Sequence, residues 1–303
     1  MTYGILFPGQ GSQAIGMGAE VFDRYPDLAT RASEILGFDL VELCLRGTEE
    51  ELTRTEHAQP ALFVVAYGTW LAFTDAIETS PAGAAGHSLG EYTALAAAGA
   101  IDFETALHLV SERGKAMAAA ASQTASGMAA LLGADADVAE QICRDRRDEG
   151  GHLWVANLNA PGQTVVAGSA ADIDWIVEAA RQLGVRRAIP LKVAGAFHSP
   201  LMASAVDVLD PLLRAAEFTE PSFPVWSNVD AEPVVDIADA LRRQITGSVR
   251  FADSLNAMHA AGVDTFVHIG PGDVTAGMAK RAVPDAAVVV VSTPTAVGAV
   301  PEL

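Results

Sequence analysis

The sequence predicts an α/β protein in two parts, a large α/β domain made of residues 1–124 and 192–303 and a small α+β unit of residues 125–191 inserted into it. Three observations carry this expectation. Short apolar strand-like runs alternate with longer helical patterns along the chain. Gly86-His87-Ser88-Leu89-Gly90 stands between a short apolar run and a helical pattern, and a Gly-x-Ser-x-Gly sequence in that setting is a nucleophile elbow, which makes the large domain α/β-hydrolase-like. The middle of the chain reads β-α-β-β-α-β, the split pattern that makes the insert ferredoxin-like.

The elements follow in order. Tyr3 to Phe7 is a short buried strand, and Pro8-Gly9-Gln10-Gly11-Ser12-Gln13 after it is a glycine-rich loop. Its spacing is neither a dinucleotide fingerprint nor a P-loop, so it reads as a loop bringing backbone N–H groups close to a ligand. Met17 to about Leu45 is helical with a break at Pro26, and Gln59 to Thr79 is a further apolar helix. Ala82 to Ala85 leads into the elbow, and helices follow over Glu91 to Ala100 and Phe103 to Ala121. In the insert, Gly127 to Gly133 is a strand and Asp137 to Arg147 a helix opened by a capping aspartate. Leu153 to Leu158 and Gln163 to Ala167 are strands, Ile173 to Leu183 is a helix and Val185 to Val193 the closing strand. Thr265 to Ile269 and Val288 to Ser292 complete the large domain.

Composition bounds the function. Half of the 303 residues are hydrophobic, enough for a substantial core without disulfides. Only Cys44 and Cys143 are present, in no CxxC or Cys/His cluster, which fits a reducing cytoplasm and argues against a metal site. No basic leader and no apolar run of membrane-spanning length is visible, so a cytoplasmic protein without membrane contact is expected. The formal charge of −19 disfavours nucleic acid. An acidic protein partner would need a local basic patch: Arg186, Arg187 and Lys192, or Arg242 and Arg243, or Lys280 and Arg281.

A serine hydroxyl needs a base. Of the seven histidines, His108 and His259 lie in helical patterns, His57 and His152 in polar surroundings, and His268 on a buried-looking strand. His198 differs. It follows the last strand of the insert and a Gly195-Ala196 pair, where the chain re-enters the large domain and a cleft between the two parts is expected. Arg113, in Ser111-Glu112-Arg113-Gly114-Lys115, reads by itself as part of a solvated helix face.

Seven collinear motifs resemble the malonyl-CoA:acyl-carrier-protein transacylases and the acyltransferase domains of polyketide synthases. They are Phe7-Pro8-Gly9-Gln10-Gly11-Ser12-Gln13, Gln59-Pro60-Ala61, the elbow with Glu91-Tyr92, and Arg113-Gly114-Lys115 with Met117. Asn157-x-Asn159 with Pro161-Gly162-Gln163, Phe197-His198-Ser199 and Gly270-Pro271-Gly272 complete the set. The resemblance implies Ser88 as nucleophile, His198 as general base, the backbone carbonyl of Gln244 as orienter of the imidazole, and the N–H groups of Gln10 and Leu89 as oxyanion hole. It implies that Arg113 pairs with the free carboxylate of a malonyl-type group, and that His87, Gln59, Met117, Asn157, Gln163 and Phe197 line the substrate site. Phe197 before the histidine and Leu89 after the serine resemble the malonyl-selective pattern, because the ring would occupy the space of a C2 methyl group.

The expected activity is ping-pong transfer of malonyl from coenzyme A to the phosphopantetheine thiol of an acyl carrier protein supplied in trans, with no cofactor and a monomeric enzyme. Arg186 and Arg187 are the first choice for carrier docking. The alternatives are an acyl-carrier-protein acylhydrolase or serine esterase of the same fold, and transfer of a substituted malonyl group. Fatty-acid and polyketide synthesis share all the motifs; Thr53-x-Thr55-Glu56-His57-Ala58-Gln59-Pro60-Ala61-Leu62-Phe63 looks somewhat more like the polyketide branch.

Overall fold

A computed structural model describes residues 1–300. Two sheets organise it. In the first, β1 (Tyr3–Phe7) is central, flanked by β2 (Gly83–Gly86) and by β8 (Thr265–Ile269). β7 (Val225–Trp226) lies outside β2 and β9 (Ala287–Val291) outside β8, giving the order β7-β2-β1-β8-β9, all parallel. β1, β2 and β8 are buried at every residue, as strands covered by helices on both faces must be.

The second sheet holds β3 (Ser126–Leu132), β4 (Leu153–Ala160), β5 (Gln163–Ser169) and β6 (Arg187–Pro190) in the order β4-β5-β3-β6, antiparallel throughout. Its helices, Ala136–Asp148 and Ala170–Ala179, enclose a separate small core that includes Leu131, Ile142, Val166 and Ile176. The second sheet also reaches the larger part through the segment before the helix Phe251–Ala260: the Leu158 N–H donates to the Val249 carbonyl, and the Val249 N–H to that of Ala156, each at 2.8 Å.

Several sequence-based bounds move. The stretch from Met17 to Leu45 is three helices, Ala19–Arg24, Pro26–Leu36 and Leu40–Arg46. Pro26 begins the second at its first turn, where a missing N–H costs nothing, and Gly37 ends it in the left-handed conformation. The helix placed over Gln59 to Thr79 begins at Thr55 and ends at Thr74, with Pro60 inside its second turn. Asp135, rather than Asp137, holds the cap position of its helix. The last strand of the insert shortens to Arg187–Pro190 and the helix before it ends at Ala179.

Candidate active site

The elbow is built by sterics. β2 ends at Gly86, the helix Gly90–Ala97 begins four residues later, and Ser88 between them has φ +52°. That left-handed conformation costs a non-glycine residue about 1–3 kcal/mol and must be held by its surroundings. Strand and helix cross so closely that a Cβ on Gly86 would lie 1.9 Å from the Gly90 carbonyl. Asn228 supplies the hold: its Oδ1 accepts from the Ser88 N–H at 2.7 Å while its Nδ2 donates to the Gly86 carbonyl at 2.7 Å. One carboxamide thus ties both sides of the turn.

Ser88 Oγ lies 2.8 Å from His198 Nε2, and His198 Nδ1 lies 2.8 Å from the backbone carbonyl of Gln244. A carbonyl only accepts, so Nδ1 carries the proton and Nε2 is left as the acceptor facing the serine hydroxyl. His198 also has φ +58°. Burial, then the nearby Arg113 charge, pushes its pKa down to about 3, which keeps the imidazole neutral.

Arg113 is 1% exposed, which excludes the solvated-face reading. Its helix, Phe103–Gln123, packs on the helix Thr55–Thr74. Nη1 donates to Gln59 Oε1 at 2.7 Å; Nη2 donates to Gln244 Oε1 at 2.8 Å and to Ser88 Oγ at 3.0 Å. The guanidinium lies 5.6 Å over the Tyr92 ring. Among the described residues no carboxylate forms an ion pair with it.

A cleft of about 270 Å³ opens over Ser88, Arg113 and His198. Gln10, Leu89, Gln59, Met117 and Phe197 line it from the large domain. Asn157 and Gln163 line it from the small one, beside Met128, Ala130 and Val165. Gly9 brings the first loop onto the elbow, where a Cβ would meet the His87 carbonyl at 2.4 Å. The N–H groups of Gln10 and Leu89 donate to no protein acceptor among the described residues. His87 joins the two parts: its Nε2 lies 2.8 Å from Asn159 Oδ1, and its ring stands edge-on to Phe251 at 5.3 Å. Burial lowers its pKa.

The basic candidates separate. Arg242 and Arg243 are bound up with Asp210, Asp230 and Asp239. Arg186 and Arg187 are exposed and stand outside the cleft wall, whereas Lys192 lines it and Arg281 donates to Gln163 Oε1 at 3.0 Å.

Three features escaped the sequence reading: the carboxamide of Asn228, the side chain of Gln244, and Glu91. Glu91 is 1% exposed, and its Oε2 accepts from Gln244 Nε2 at 2.7 Å and from the Asn228 N–H at 3.2 Å. Burial is the largest influence on it and pushes its pKa up to about 7. Its place in the Gly86–Tyr92 motif was a signal, but nothing local tells an inward-facing carboxylate from a solvated one at the first turn of a helix.

Comparison with known proteins follows the same lines. Over 282 residues the chain is 43% identical to the malonyl CoA-acyl carrier protein transacylase of Bacillus subtilis (strain 168), covering 91% of this chain and 89% of that protein. A solved acyl carrier protein S-malonyltransferase from Vibrio cholerae O1 biovar eltor superposes with a TM-score of 0.93 at 38% identity, covering 99% of this chain and 100% of that one. The malonyl-transacylase PlMCAT, solved with the holo form of its type II polyketide synthase acyl-carrier protein AntF, gives a TM-score of 0.93 at 36% identity over 98% of both chains. The family model described as the acyl transferase domain matches residues 5–298. The chain belongs to the acyl transferase domain family.

Proposed function

We propose that this protein moves a malonyl group from coenzyme A to the phosphopantetheine thiol of an acyl carrier protein, through an ester on Ser88. The observation that carries this reading is the buried Arg113 guanidinium, 3.0 Å from Ser88 Oγ and in no ion pair among the described residues. A desolvated cation lacking a counter-charge is costly. A carboxylate on the acyl group would supply that charge, in the bidentate geometry that a guanidinium favours. A neutral acyl group would not. Relatives named malonyl transacylases support the same substrate class.

The chemistry follows from the distances. His198 Nε2 takes the proton from Ser88 Oγ as Oγ attacks the thioester carbonyl. The N–H groups of Gln10 and Leu89 receive the oxyanion. Collapse breaks the C–S bond, His198 returns its proton to the departing sulfur, and malonyl-Ser88 remains. The carrier's thiol then gives its proton to His198, attacks the ester, and Ser88 leaves reprotonated. A carbonyl orienter stabilises the imidazolium less than a carboxylate would, which a thioester tolerates.

Phe197 is buried beside His198 and lines the cleft, which favours malonyl over a C2-substituted group. One methyl group is worth about 1–3 kcal/mol, so a substituted malonyl remains the second substrate to assay. Arg186 and Arg187 are our choice for carrier docking. We read the larger part as α/β-hydrolase-like and the smaller, with strand order β4-β5-β3-β6, as ferredoxin-like, with the insert spanning 125–191. The reading further holds a monomeric cytoplasmic enzyme without cofactor, metal, nucleic acid or membrane. The assay against both fatty-acid and polyketide carriers names the pathway.

Mass spectrometry after incubation with malonyl-CoA should show one malonyl group on Ser88, absent in Ser88→Ala. No adduct overturns the proposal. Release of free malonate in preference to transfer to carrier would make the protein a hydrolase instead.

A further inference from the structure

Gln244 has two unrelated jobs. Its backbone carbonyl holds His198, while its side chain reaches the other way to Arg113. The carboxamide can serve Arg113 in only one of its two orientations. A guanidinium has donors and no acceptor, so Oε1 must face Arg113 and Nε2 must face acceptors. Three acceptors meet Nε2: Glu91 Oε2 at 2.7 Å, the Ser88 carbonyl at 2.8 Å and, at the longer distance of 3.5 Å, Asn228 Oδ1. The same Glu91 oxygen accepts from the Asn228 N–H at 3.2 Å, and Asn228 in turn pins the elbow.

We infer that Glu91 is a positioning residue for selectivity: by fixing the Gln244 carboxamide it aims Arg113 at the acyl carboxylate, without itself touching substrate. The inference rests on the proposed malonyl transfer. It acts on the carboxylate-binding end of the site, because the contact of His198 with Gln244 is made by backbone and does not depend on the carboxamide. The acceptor is what matters, not the charge, since both hydrogen bonds converge on a single oxygen that a glutamine can supply. Burial agrees, holding the carboxyl's pKa up to about 7, so that neutral and charged forms coexist near neutrality while one oxygen stays an acceptor in both. Arg113 and Asp230 are the other ionisable groups that bear on it, and it bears in turn on Tyr92.

The test compares acylation of Ser88 from malonyl-CoA and acetyl-CoA in wild type, Glu91→Ala and Glu91→Gln. Glu91→Ala should lose malonyl kcat/KM by about tenfold or more, mainly through KM, with acetyl reduced by less than about threefold. Glu91→Gln should stay within about threefold of wild type for both donors. Gln244→Met, which keeps the backbone carbonyl under His198 and removes the carboxamide, reads the same link if Glu91→Ala fails to fold, and should show the same loss of malonyl preference. Equal losses for both donors, an unchanged malonyl preference in Gln244→Met, or Glu91→Gln as impaired as Glu91→Ala would each overturn the inference. A wild-type enzyme that loads no malonyl at all would overturn the functional reading first.

Discussion

At the scale of the residue, the site is a competition for one hydroxyl. Ser88 Oγ lies 2.8 Å from a neutral imidazole and 3.0 Å from a guanidinium. Removing the guanidinium by Arg113→Ala should lower malonyl transfer by about 100-fold or more while acetyl transfer persists, because only a dicarboxylic acyl group depends on a charge-assisted bidentate pair of several kcal/mol. Steady-state kinetics with both donors check this, and equal losses would deny Arg113 its part in selectivity. The pH profile gives a second test. A base must be neutral, and His198's pKa is lowered to about 3, so it stays neutral well below the ordinary imidazole range. The rate of Ser88 acylation should therefore show no acid limb near pH 6.5 and hold as pH falls from about 8 to 5. A limb at the usual imidazole value would mean that His198 is more exposed to solvent than its packing indicates.

At the scale of the element, the elbow is a crossing of a strand and a helix that only glycine permits. Gly86→Ala would drive a Cβ to within 1.9 Å of the Gly90 carbonyl, backbone that cannot give way. The loss should exceed the roughly 1–3 kcal/mol of ordinary overpacking, read as a fall in denaturation midpoint. Asn228→Ala removes the carboxamide that joins Ser88 N–H to the Gly86 carbonyl. It should cost about 1–3 kcal/mol of stability and slow the enzyme for every acyl donor alike. That pattern differs from the selective one expected at Glu91. These elements also show what a sequence can reveal. The strands Tyr3–Phe7 and Thr265–Ile269, the elbow, and the order of the insert were legible because glycine spacing and apolar runs are local signals. Arg113 was legible only through motif resemblance, since its helix is amphipathic and its burial depends on a partner helix whose Gln59 lies 54 residues earlier. Asn228 and Gln244 were hidden for the same reason. Their carboxamides meet the elbow across sequence separations of 140 and 156 residues, and nothing around Ser227-Asn228-Val229 marks them locally. The two-residue strand Val225–Trp226 and the helices Ala203–Ala215, Ile237–Gln244 and Phe251–Ala260 went unread, being short or lacking a capping motif strong enough to stand out.

At the scale of the whole molecule, an excess of negative charge limits where an acidic partner could approach. With a formal charge of −19, an acidic carrier would be repelled except where local cations collect. Arg186 and Arg187 are exposed and in no ion pair among the described residues. Arg186→Glu with Arg187→Glu should raise KM for the carrier about tenfold, and more at low salt, while loading from malonyl-CoA changes by less than about twofold. Unchanged carrier kinetics would move the docking surface elsewhere, with Lys192 and Arg281 at the cleft next to be tested.

The cleft's double walling has a consequence for how such enzymes diversify. Ser88, Arg113 and His198 stand on the sequence-discontinuous larger part, whereas Met128, Ala130 and Val165, which shape the opposite face of the chamber, lie on β3 and β5 of the antiparallel sheet, with Met128 and Val165 packed into the main core. The two walls of the cleft are thus encoded in different stretches of the sequence, one of them continuous. Lineages can therefore retune what fits by altering sixty-odd contiguous codons, leaving the reactive machinery untouched.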